Sequence, residues 1–306
     1  MEHTGKEDPA TIKFKTNKRQ PVKIVLITLL SVVLLTKVAV LFTEEAKLYL
    51  PDKQVTLTPH NIGLNYDDLY FKTEDGQSLN GWFIPAKDAQ ITLLYCAGRG
   101  GNMSSNLVNI KFFNSMKMNV FVFDYRGFGN SSGSPSEQGL YKDARAAYDF
   151  LVTRSDIHKD KIVAYGKSLG APVAADLCLN RKVAAMVLEG SFPSLRTYVS
   201  DLGGFLPLQW LVSEKFDTIA RIKKIHIPKL IVHGMDDDVV PFPEGRFLFN
   251  EAALPKEFLP YDGGHDDDIF VTSDTFRDRL NNFLENNHVL RPPGKTVPSA
   301  AGTSNA

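Results

Sequence analysis

Cysteine is scarce in this chain. Cys96 and Cys178 are the only two in 306 residues. Two thiols cannot build a disulfide scaffold or a cysteine-based zinc site. Each sits in an apolar stretch, Leu94-Tyr95-Cys96-Ala97 and Asp176-Leu177-Cys178-Leu179, so both are expected to be buried core thiols. An excess charge is missing too: 35 Lys and Arg face 35 Asp and Glu, for a net charge of zero. Binding along a phosphate backbone needs a basic excess, so nucleic acid is excluded as the main partner. No internal repeat is present, which removes solenoids and propellers. What remains is 43% hydrophobic and 23% charged, the composition of an ordinary globular domain rather than a disordered or fibrous chain.

One apolar run stands apart, from Ile24 to Phe42, with Lys37 as its single charge. That length is close to the ~20 residues that cross a bilayer. Lys37 lies near its end and can snorkel to the interface. Lys13, Lys15, Lys18, Arg19 and Lys23 precede the run, and Glu44 and Glu45 follow it. Basic flanks stay on the cytoplasmic side, so the N-terminus is expected inside and the rest across the membrane. A cleaved signal peptide competes, because Ile24–Leu35 has the length of its apolar core. No good small-x-small cleavage site follows: cleavage after Ala39 would set Lys37 at the −3 position, and cleavage after Ala46 would set Glu44 there. The segment therefore reads as an uncleaved anchor.

The expected organisation is a cytoplasmic basic tail over 1–23, a transmembrane helix over 24–42, a connector over 43–63, a globular domain over 64–288 and a disordered tail over 289–306. Within the domain, apolar runs alternate between strand and helix periods. Asp75-Gly76 punctuates a hairpin between Leu69–Lys72 and Leu79–Pro85. Strands are expected at Ile91–Cys96, Met118–Phe123, Lys161–Tyr165, Ala184–Leu188, Lys229–His233 and Phe258–Tyr261, with helices between them and at Asp274–Glu285. Such alternation predicts an α/β fold with a mainly parallel central sheet, helices on both faces and an antiparallel edge. The rhythm breaks over about 192–225, where Leu202, Phe205, Leu206, Trp210 and Leu211 gather around Gly203, Gly204 and Pro207. This is a candidate lid, or else ordinary helix packing.

Gly166-Lys167-Ser168-Leu169-Gly170 matches Gly-x-Ser-x-Gly. The pattern alone is weak; its context is informative. Ile162–Tyr165 supplies a strand before it, and Ala171–Leu177 a helix after it. That strand–turn–helix presents a nucleophile on a sharp elbow. A serine hydroxyl needs a base. Of seven histidines, His265 follows a strand and the pair Gly263-Gly264, in a loop able to reach the elbow. The base needs an acid to hold its tautomer. In elbows of this kind the chain order is serine, acid, histidine. The turn Gly234-Met235-Asp236-Asp237-Asp238 lies in that interval, and Asp237 is the choice among its three carboxylates.

These residues resemble the α/β-hydrolase superfamily, and most nearly its membrane-anchored subgroup of α/β-hydrolase-domain proteins, which includes protein depalmitoylases. The resemblance covers about Leu64 to Glu285. It rests on the elbow at Ser168, on Asp124-Tyr125-Arg126-Gly127-Phe128-Gly129-Asn130-Ser131-Ser132-Gly133, on His233-Gly234-Met235-Asp236-Asp237-Asp238-Val239-Val240-Pro241, and on Gly263-Gly264-His265. It implies an α/β-hydrolase fold with a small lid insertion, and it sets the acid on Asp237, three residues after Gly234. The family's oxyanion loop reads His-Gly-Asn-x-Gly-Asn; here it is Ala97-Gly98-Arg99-Gly100-Gly101-Asn102. The donors are backbone N–H groups, by position those of Arg99 and Leu169. The departures bear on support of the loop and on substrate preference, and Arg99 is a candidate contact for an acidic substrate group.

The implied chemistry is cleavage of carboxylic esters or thioesters by Ser168, His265 and Asp237 through an acyl-enzyme, with no metal or organic cofactor. A small acyl ester, thioester or lipid-like substrate is expected, with the membrane reached through the N-terminal helix. Two alternatives stand beside it: a serine peptidase or aminopeptidase of the same fold, and a non-catalytic membrane-tethered binding protein.

Overall fold

In the computed structural model, the described residues are 48–197, 214–267 and 274–290, with Lys23, Val25, Thr28, Ser31 and Val32, which are helical. Most of the expected transmembrane segment lies outside them, as do residues 198–213 of the expected lid and the tail from 291. Among the described residues, no helix is long and apolar enough to cross a membrane.

Eight strands form one sheet: β1 (Asp67–Lys72), β2 (Ser78–Ile84), β3 (Ile91–Cys96), β4 (Met118–Phe123), β5 (Ile162–Lys167), β6 (Ala185–Glu189), β7 (Lys229–Gly234) and β8 (Lys256–Tyr261). Their order across the sheet is β8-β7-β6-β5-β3-β4-β2-β1. β1 and β2 pair antiparallel, and β2 runs antiparallel to β4. Every other pairing is parallel. The hairpin at Asp75-Gly76 therefore forms the antiparallel margin that the turn predicts.

The helices are α1 (Leu107–Ser115), α2 (Glu137–Leu151), α3 (Gly170–Asn180), α4 (Thr218–Ile222), α5 (Phe242–Glu251) and α6 (Asp274–Asn286). Side chains along a strand alternate between faces, and the core divides accordingly. Leu94 and Cys96 of β3 join α2 and α3 on one face, while Leu93 and Tyr95 join α1 and α6 on the other. Central strands buried on both faces need near-continuous apolar runs, as in Ile91–Cys96. Both cysteines are free and buried.

Several boundaries differ from the sequence reading. α2 begins at Glu137, because the Ser136 hydroxyl caps it by accepting the Gly139 N–H at 3.2 Å. Val289, assigned to the tail, is 3% exposed, and its N–H bonds to Leu284 O. The expected connector is not a spacer either. Tyr49 is 2% exposed and meets Phe216 edge-on. Leu50–Pro51 pairs in parallel with Gly100–Gly101. Both described ends of the candidate lid pack into the core: Phe192 and Leu195 at its start, and Phe216, Ile222 and Ile225 at its end.

Candidate active site

In open α/β sheets, ligands bind at the carboxyl ends of the parallel strands. Four segments converge there: the 97–102 loop after β3, Ser168 after β5, Asp237 after β7 and His265 after β8. Ser168 has φ 52°, the left-handed region that a side chain pays for with steric strain. Its flanking glycines make the elbow possible. A Cβ on Gly166 would lie 2.4 Å from Gly170 O, and one on Gly170 would lie 2.0 Å from Cys96 O. Only hydrogen at both positions lets β5, β3 and α3 approach so closely.

The Ser168 Oγ lies 2.8 Å from His265 Nε2. On the other side of the ring, Nδ1 lies 2.8 Å from Asp237 Oδ2. The second oxygen of Asp237 accepts the N–H groups of Val239 at 3.0 Å and Val240 at 2.7 Å. Burial pushes the Asp237 carboxyl up in pKa. The His265 hydrogen bond, the Val240 N–H and the neighbouring imidazoles outweigh it and hold the group below its ordinary value. Asp236 and Asp238 are exposed, whereas Asp237 and His265 are buried. Of the remaining described histidines, His60, His158, His226 and His288 are exposed.

The 97–102 loop lies against the elbow: a Cβ on Gly98 would sit 3.8 Å from Ser168 Cβ. Its supports come from unexpected places. The Tyr125 hydroxyl donates to Ala97 O at 3.1 Å. Leu50 N–H donates to Arg99 O and Asp52 N–H to Gly101 O, each at 2.9 Å. Asn102 Nδ2 donates to Asp52 O and Gln54 O. Asp124, at the end of β4, accepts the Met103 N–H at 2.8 Å. Burial raises the Asp124 carboxyl to about 7. The segment 50–54 is thus a strap clamped over the loop.

Sequence reasoning missed three neighbours. Glu189, 1% exposed, accepts from the Tyr165 hydroxyl and pairs with Lys167 Nζ at 3.2 Å, just behind Ser168. His233, fully buried, contacts the same Asp237 oxygen that faces His265. Leu48 borders the cavity that holds Ser168 and Leu169. Only His233 carried a signal, its place in the turn motif; the other two depend on pairings distant in sequence. Another cavity, of about 710 Å³ beside Glu137, Asp176 and Arg221, does not border Ser168. Among the described residues, no group of His, Cys, Asp and Glu side chains is arranged to hold a metal ion.

A parallel sheet whose fifth strand turns through a left-handed serine into a helix is the architecture of the α/β hydrolases. The family model described as alpha/beta hydrolase fold matches residues 91–210. The uncharacterized protein Rv2307c of Mycobacterium tuberculosis is 36% identical over 226 residues, 73% of this chain and 80% of that protein. The alpha/beta hydrolase domain-containing protein WAV2 of Arabidopsis thaliana is 34% identical over 233 residues, 69% of this chain and 76% of that protein. Among solved structures, the Pyrococcus furiosus esterase Pf2001 superposes with a TM-score of 0.66 at 20% identity, over 78% of this chain and 98% of that one. The chain belongs to the α/β-hydrolase superfamily.

Proposed function

We propose that the protein is a serine hydrolase that cleaves carboxylic esters or thioesters through an acyl-enzyme. The observation that carries this reading is the unbroken hydrogen-bonded chain from Ser168 Oγ through His265 to Asp237, 2.8 Å at each link. His265 Nε2 takes the Ser168 proton as Oγ attacks the carbonyl carbon. Asp237 holds the ring with Nδ1–H toward it and stabilises the imidazolium that forms. The backbone N–H groups of Arg99 and Leu169 receive the oxyanion, each donor being worth about 3 kcal/mol. The leaving group departs with the proton from His265, and water repeats the sequence to release the acid.

The run 24–42 serves as an uncleaved anchor, supported by its length and basic flank, with the catalytic domain on the non-cytoplasmic side. The solved neighbour of this fold is itself named an esterase. Labelling membranes with a fluorophosphonate tests the chemistry: wild type labels and hydrolyses short p-nitrophenyl esters, and Ser168→Ala does neither. Equal hydrolysis by the alanine variant would refute the assignment. Protease added to sealed right-side-out vesicles tests the topology, because a domain on the non-cytoplasmic face is then exposed and digested.

A further inference from the structure

Two cavities meet at Ser168, and their walls differ in chemistry. One, of about 380 Å³, is bordered by Arg99, Asn106, Asn109, Lys167, Asp266 and His265. The other, of about 40 Å³, is bordered by Leu48, Leu169, Phe192, Leu195 and Val240. Ser168, Arg99 and Val239 border both; His265 borders the polar one.

The placement of His265 fixes which part of an ester goes where. When the tetrahedral intermediate collapses, the carbonyl re-forms and the bond from carbon to the alcohol oxygen breaks. The electron pair goes to that oxygen, which takes the proton held on His265 Nε2. The alcohol oxygen must therefore lie within hydrogen-bond reach of Nε2, on the polar side of Ser168. The acyl substituent is left to the leucine-lined slot. The polar cavity is in the range that receives a small-molecule ligand, and its side chains offer both donors and acceptors.

We infer that the enzyme takes acyl esters of small hydroxyl-bearing alcohols, with the acyl group against Leu48 and Leu195 and the alcohol beside Asn109 and His265. This rests on the ester-hydrolase reading of the same site and narrows it. It also places Leu48, two residues before the strap, in substrate binding.

The test uses the full-length protein in detergent, with active sites titrated by a fluorophosphonate so that misfolded molecules drop out. Glycerol monoesters and ethyl esters of two-, four-, eight- and twelve-carbon acids are compared, together with an S-acyl cysteine peptide. The glycerol ester is expected to exceed the ethyl ester of the same acid at least fivefold in kcat/KM. Asn109→Leu narrows that glycerol-to-ethyl ratio, whereas Leu48→Ala alters the ranking of the acids and not the ratio. A ratio near one, or a preference for the S-acyl peptide, overturns the inference while leaving the hydrolase intact. Absence of both labelling and ester cleavage overturns the hydrolase itself, and this inference with it.

Discussion

His233 and Asp237 touch behind the candidate site: His233 Nε2 lies 3.5 Å from Asp237 Oδ2 and 2.8 Å from Val240 O. The shorter contact requires Nε2 to carry the hydrogen and donate it, which leaves Nδ1 as an acceptor. Burial lowers the pKa of His233, against the opposing pull of Val240 O and the Asp237 carboxylate. The ring closes the turn that presents Asp237.

That ring is seated against α5. A Cβ on Gly245 would lie 2.2 Å from His233 Nδ1. Gly245→Ala is expected to lower stability by about 1–3 kcal/mol, as overpacking does. Displacing the turn should also lower kcat. Urea unfolding and ester kinetics on the one variant check both. Because the folded-state pKa of His233 is depressed, its contribution to stability is present above its unfolded value of 6.5 and fades as pH falls below it.

Three adjacent carboxylates give a direct discrimination. Asp237→Asn should lower kcat by about 10³–10⁴-fold, because the amide cannot hold the required tautomer of His265. Asp236→Asn and Asp238→Asn, at exposed positions, should change it less than twofold. Steady-state kinetics on the three single variants decide this. Comparable losses at Asp236 or Asp238 would contradict the geometry.

Asp124 makes a pH prediction. Its pKa rises from 3.8 to about 7 on burial. A raised value means that its contribution is fully present below the unfolded pKa and is lost as pH rises through the folded one. Wild type should therefore lose stability relative to Asp124→Asn between about pH 4 and 7, by up to about 1.4 kcal/mol per pH unit. Urea unfolding of both proteins at pH 5 and pH 7.5 measures the difference. A gap that does not change with pH would show that the carboxyl does not titrate there.

Arg126 joins three parts of the chain. Its guanidinium bonds Asp143 of α2 at 2.9 Å and Asp75 of the hairpin turn at 3.0 and 3.1 Å, and its N–H bonds the other Asp143 oxygen at 2.8 Å. Removing one partner strands the buried Asp143. Arg126→Met should destabilise by about 3–5 kcal/mol, and adding Asp143→Leu should recover part of that. Chemical denaturation of the single and double variants tests it.

The elements that could be read from sequence are those whose cause is local. Asp75-Gly76 turns the hairpin, glycines at 166 and 170 bracket the elbow, and the β5 and β7 runs are apolar enough to be central strands. Ser168, Asp237 and His265 could be chosen because each follows a strand that ends at the same edge. The strap could not be read: Leu50–Pro51 pairs over two residues with a loop some fifty positions away, and no period marks so short a strand. α4 was hidden for a related reason. It is five residues long, started by the Asp217 carboxyl accepting the Ala220 N–H, and buried by Tyr49 and Tyr141 through Phe216. Arg126 stood in a recognisable motif, but its partners came from distant parts of the chain.

The left-handed backbone at Ser168 means that this position is held against its own preference by everything packed around it. Glycine would sit there at ease. A dead protein with glycine at 168 would then melt at a higher temperature than the living enzyme, and the difference would measure how much sturdiness the molecule surrenders to keep a hydroxyl at the apex of that bend.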